Sequence, residues 1–130
     1  MRTIHAILAL EHPLFSELLA VNLSHEPDMR IVARVMGDVK VAKELCDLLD
    51  NDEFDVDDPV IVVMSTDESD EISPTISRLL GEFPEIIIVG ICWATARVRT
   101  FQLQIDVHEV PCEFDGLIEA IRDCAGRTLP

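Results

Sequence analysis

The chain has 130 residues, 25 acidic against 10 basic side chains and a formal net charge of −15. That length suits one domain with a real core and is too short for two, and 48% apolar against 27% charged residues marks a folded globular chain. So acidic a field repels phosphate backbones, which argues against nucleic-acid binding by this segment, and no apolar run approaches the roughly 20 residues of a membrane span.

The opening MRTIHAILALEHP has one basic residue and passes directly into a strand-like pattern. It lacks the length and cleavage-site composition of a signal peptide, so a cytoplasmic location is expected. Residues 3–10 (TIHAILAL) read as a strand ending at the polar pair Glu11-His12. Pro13 suits a first helical turn. Leu14, Leu18 and Val21, with Phe15 and Leu19 beside them, then carry a helical period. Residues 26–28 (EPD) end that helix, and 29–35 (MRIVARV) read as a second strand.

Gly37-Asp38 supplies a turn and an N-cap, and Val41, Leu45, Leu48 and Leu49 stripe a second helix. An acidic stretch, 47–58, leads into VIVVMSTDE, residues 60–68, where four branched aliphatics precede Met64 and a second acidic run follows. Such charge blocks read as solvated loops, with divalent-cation or basic-partner binding as the functional alternative. Ser73 is an N-cap with Pro74 at the first helical position, and Ile72, Ile76, Leu79, Leu80 and Phe83 stripe a third helix. Residues 85–91 (EIIIVGI) are a fourth, buried strand.

Between Cys92 and Val110 two periods compete. Ala94, Val98 and Phe101 fit a helical face, whereas Phe101, Leu103, Ile105 and Val107 alternate with Gln102, Gln104 and Asp106 as a half-exposed strand does. A fourth helix that is short or absent, followed by a long strand, is expected there. Phe114, Leu117, Ile118 and Ile121 stripe a last helix that Gly126 can end. Residues 1–126 then form the domain, and 127–130 begin a linker or tail.

Five β-α units with apolar central strands imply a parallel sheet covered on both faces. Right-handed crossovers leave few topologies. The expected class is α/β, a flavodoxin-like (CheY-like) three-layer α/β/α sandwich with a parallel five-stranded sheet in the order 2-1-3-4-5. Its switch point lies between the first and third strands, so Leu10, Glu11 and Met64 should meet at one crevice. Cys46, Cys92, Cys112 and Cys124 form no CxxC pair and read as free thiols in a reducing compartment. The four histidines are scattered, with no zinc-binding spacing.

The segments HAILALEHPLFSELLAVNLSHEPDMRIVARVMGDVKVAKEL, GEFPEIIIVGI and VPCEFDGLIEAIRDC resemble a response-regulator receiver domain of two-component signalling, of the kind that precedes a LuxR-type helix-turn-helix. The similarity covers about residues 3–126. It implies a site in which two acids after the first strand and an aspartate after the third hold Mg²⁺, a cation that requires oxygen ligands. That aspartate accepts a phosphoryl group, and a Ser/Thr and a Lys ending the fourth and fifth strands bind its oxygens.

Carried over by position, the match fails at nearly every site residue. Leu10 replaces the first acid and only Glu11 keeps a carboxylate. Met64 stands at the phospho-acceptor, Cys92 (or Ile91) at the hydroxyl, and Val110, just before Pro111, at the lysine. Mg²⁺ binding is therefore not expected, nor any cofactor, and the crevice should be filled by apolar side chains and mostly dry.

The resemblance implies a degenerate, non-enzymatic pseudo-receiver in signalling or transcription regulation. Its expected surface for a protein partner or a homodimer is the face of the fourth helix, fifth strand and last helix, with Val98, Phe101, Leu103, Ile105 and Val107 as candidates, about half of which are expected to be core instead. A second reading keeps phosphoryl signalling at a shifted site, Asp67, or makes Ser65 or Thr66 a kinase substrate. A third is a flavodoxin-like small-molecule binder, although the loop EHPLF offers no Gly-rich phosphate cradle.

Overall fold

Uncharged runs of branched aliphatics build the centre of the sheet: β1 (Ile4–Ala9), β3 (Val60–Ser65) and β4 (Ile87–Cys92). They belong to a computed structural model that describes residues 2–52, 54–55, 57–67, 72–103, 110–111 and 113–127, with backbone only at 38, 110–111 and 124–127. Outside them lie β2 (Met29–Arg34), β5 (Arg97–Phe101) and the two-residue β6 (Val110–Pro111). The order is β2-β1-β3-β4-β5-β6, so the chain reverses between β1 and β3 as the sequence predicts.

Four helices are present among the described residues: α1 (Pro13–Ser24), α2 (Asp38–Leu49), α3 (Pro74–Glu82) and α4 (Phe114–Arg127). Sheet alternation separates two cores. Leu8, Val63, Val89, Ile91 and Val98 face Leu19 and Leu23 of α1 and Leu117, Ile118 and Ile121 of α4. Ile7, Val62, Met64, Ile88 and Phe101 face Val41, Leu45 and Leu48 of α2 and Ile76, Leu79 and Leu80 of α3.

Local signals explain the helix starts. The Ser73 hydroxyl accepts from the Ile76 N–H at 3.2 Å, with Pro74 at the first helical position. His12 caps α1, its Nδ1 accepting from the Phe15 N–H at 3.3 Å. Gly37, with φ +88°, is the N-cap of α2 and makes no side-chain capping bond. Asp38 is therefore the first helical residue and not the cap. At the other end α4 continues through Gly126 to Arg127 rather than stopping before it.

The main correction lies beyond β4. An all-parallel sheet requires a crossover there, but residues 93–96 form a turn and β5 returns antiparallel to β4. β6 is antiparallel to β5. The expected fifth strand thus begins earlier, at Arg97, and residues 104–109, where Ile105 and Val107 fall, lie outside the described residues. Two contacts hold the turn. Trp93 packs edge-on against Phe15 at 4.1 Å and tilted against His12 at 5.7 Å. Ala96 adopts φ +54°, a left-handed conformation that costs a non-glycine residue on the order of 1 kcal/mol.

Candidate functional site: the crevice at the switch point

Strand register places four residues in one row across the sheet. Ala9 pairs with Met64, Met64 with Gly90, and Gly90 with Arg99. At about 4.8 Å per strand the row is about 14 Å long. Gly90 leaves its place on this face to a neighbour: a Cβ there would lie 2.5 Å from Thr66 Cγ2 and 3.1 Å from Phe101 Cε2. Thr66 therefore folds over β4, and its N–H donates to the Ile91 carbonyl at 2.8 Å. The Glu11 N–H donates to Ser65 Oγ at 3.1 Å, tying the loop after β1 to the end of β3.

Above this row is a crevice of about 680 Å³. Met36, Val41, Met64 and Ile76 give it apolar walls, while Glu11, Ser65, Thr66, Asp67, Ser73, Thr75 and Arg99 supply polar groups. The crevice is thus open, where the sequence led to the expectation that apolar side chains fill it. Ala9, beside Met64 in the row, leaves room that no bulky residue takes up, whereas the space over Gly90 is taken by Thr66 and Phe101.

Placement of the candidate residues is mixed. Met64 lines the crevice and also joins the core on the α2–α3 side. Leu10 does not meet it there, since its side chain is buried in the opposite core against α1 and α4. Cys92 is buried, and Val110 and Pro111 form β6. Glu11 and Asp67 line the crevice from exposed positions. Thr66 Oγ1 is buried and has no hydrogen-bond partner among the described residues, which makes it a poor kinase target.

The candidates for the expected interaction face divide between core and surface. Val98 and Phe101 are each 1% exposed and belong to the two cores, so of the described candidates only Leu103, at 62%, is open. Reversal of β5 buries both sides of the strand.

Arg99 was not anticipated. It is 6% exposed, lines the crevice, and stands 5.3 Å over the Phe101 ring, a cation–π contact that offsets part of its desolvation. Its signal in the sequence is RVRTF, where Arg97, Arg99 and Phe101 alternate with Val98 and Thr100. That period-two pattern is legible only if the strand starts at 97.

Chemically, the described residues of the crevice offer one guanidinium, two carboxylates and several hydroxyls. No group of three or more candidate metal ligands exists among the described residues. No protein-family model matches the chain, and neither a curated protein nor a solved structure matches it significantly. No helix among the described residues is long and apolar enough to cross a membrane.

Proposed function

We propose that this chain is a receiver-like domain of flavodoxin-like (CheY-like) ancestry that acts in cytoplasmic signalling or transcriptional control by protein contact, without acyl-phosphate chemistry. One observation carries the reading. The residue delivered by β3 to the floor of the switch-point crevice is Met64, flanked in its row by Ala9 and Gly90. A thioether neither accepts a phosphoryl group nor ligates a hard cation.

Contact as the mode of action is supported by α1. Leu14, Leu18 and Val21 are exposed there at i, i+4 and i+7, the spacing of a helix that lies in an apolar groove. Residues 3–29 contain no Lys or Arg but include Glu11, Glu17, Glu26 and Asp28. By charge complementarity the partner is a protein groove with a basic rim, which is favoured over a second copy of a chain carrying −15.

The shifted-site reading has one observation in its favour, since Asp67 and Glu11 line the same crevice. A single experiment separates the two. The purified protein is incubated with acetyl phosphate and Mg²⁺ and mapped by mass spectrometry. We expect no phosphorylated Asp. A phosphoryl group on Asp67 that disappears in Asp67→Ala would establish the shifted site and overturn the contact-only reading.

A further inference from the structure

We infer that the crevice is a docking slot for a basic, apolar-anchored segment of a protein partner. A Leu or Met side chain of that segment enters the crevice, and a neighbouring Lys or Arg meets Glu11 at its mouth. The inference adds a second contact surface to α1, and it rests on the reading that the crevice performs no phosphoryl transfer.

The lining decides the sign of the charge that can bind. Three charged side chains face the crevice: Glu11, Asp67 and Arg99. Asp67 and Arg99 already take part in interactions within the protein, so the slot does not depend on either. Glu11 is bonded through its backbone N–H, to Ser65 Oγ, and the residue is exposed. Its carboxylate is the charge left to meet a partner among the described lining residues. An anion gains nothing there and is repelled by a chain carrying −15. Position separates Glu11 from the buried cation. Glu11 follows β1, whereas Arg99 lies on β5 at the far end of the row. Three strand spacings amount to about 14 Å. That exceeds the Debye length of about 10 Å at 0.1 M salt, so Arg99 does not turn away a cation at Glu11.

The walls decide what accompanies that cation. Ala9, Met36, Val41, Met64 and Ile76 are apolar, and a volume of about 680 Å³ admits an aliphatic side chain. Met36 and Met64 are unbranched thioethers, which re-pack around differently shaped anchors. The mouth selects a protein segment over a small molecule. Met36 is 52% exposed there, and Val39, in the first turn of α2, is 78% exposed. A small molecule sinks roughly 70–90% of its surface into its site and leaves such flanking side chains in water. A peptide runs on past the crevice and covers them, with its anchor in the pocket and its charges at the rim.

The test uses the whole 130-residue chain with ¹³C-labelled methionine methyl groups. Met36 and Met64 line the crevice, and Met29, buried in the opposite core, is the internal control. Three N-acetylated, C-amidated hexapeptides are the probes: KRLLRK, KRAARK without the anchor, and EELLEE with the charge inverted. We expect KRLLRK to shift the Met36 and Met64 signals and leave Met29 in place. The other two peptides should bind about fivefold or more weakly. Glu11→Gln and Met36→Ser change exposed side chains, so the fold is kept. Each should weaken KRLLRK about threefold or more, read at Met64. Absence of Met36 and Met64 shifts at about 2 mM KRLLRK, or a Met29 shift as large as theirs, overturns the inference. Equal binding of KRAARK or EELLEE overturns it too, as does binding that neither substitution weakens. Failure here without phosphorylation leaves contact through α1 standing, whereas aspartyl phosphorylation by acetyl phosphate defeats that reading first.

Discussion

The sheet is built by different rules on its two sides. From β2 to β4 every neighbouring pair is parallel and each connection carries a helix. From β4 outward every pair is antiparallel, and residues 93–96 replace a helix. A parallel neighbour needs a crossover of a dozen or more residues, whereas an antiparallel one needs only a tight turn. Losing the helix therefore reverses the next strand. The reversed strand turns Arg99 toward the crevice, Phe101 into the core beneath it on the same face and Val98 toward the opposite core. The parallel side supplies the pocket's Met64, and the antiparallel side supplies its buried cation.

The comparison breaks most visibly at Phe101. If β5 is core on both sides, Phe101→Ala should cost about 3–5 kcal/mol in urea unfolding, while Leu103→Ala, two residues on and exposed, should stay within about 0.5 kcal/mol. Equal small losses would mean that β5 is a surface strand after all. The seam between the halves is sharpened next by Gly90→Ala. The new Cβ meets Thr66 Cγ2 at 2.5 Å, and overpacking of this kind costs about 1–3 kcal/mol. Combining it with Thr66→Ala removes the closest atom and should return part of the loss. Full additivity of the two changes would show that Thr66 does not lie over β4.

Legibility follows the same division. Residues 3–91 could be read because strands of branched aliphatics alternate with capped helical stripes, and each signal is local: Ser73-Pro74, His12-Pro13, the run at 60–63. Strand order through β4 followed from crossover rules. The reversal at 93–96 did not: direction is set by how much chain connects two strands, and the expected short or absent helix was still combined with a parallel fifth strand. The alternation begun at Phe101 in place of Arg97 hid Arg99 within a turn. Leu10 was misplaced for a related reason. Adjacency to Glu11 put it at the crevice, but the alternation of side chains along β1 sends it to the opposite core. Met64 at the end of β3 was legible from the strand alone, whereas an open crevice above it depends on Ala9, Gly90 and Arg99 falling into one row.

The smallest expected effect joins the two sides. Arg122 on α4 donates from Nε and Nη2 to the two carboxylate oxygens of Asp28, both at 3.0 Å, and Nη2 also lies 3.1 Å from Glu26. These bonds hold the Asp28 carboxyl below its ordinary value, against the opposing effect of burial. Because the folded-state value is depressed, the stabilisation is complete above the unfolded carboxylate value, about 3.9, and disappears as pH falls through the folded one. The side chains of Arg122 and Asp28 are 36% and 24% exposed, so solvent screens the pair and Arg122→Met should cost only about 0.5–1 kcal/mol at pH 7. Unfolding curves of the two proteins should converge as pH falls through the depressed folded-state value of Asp28 and approach each other in high salt. A difference that persisted at low pH would assign the loss to packing of the Arg122 stem rather than to the charge pair, and α4 would then be held to the α1–β2 loop by apolar contact.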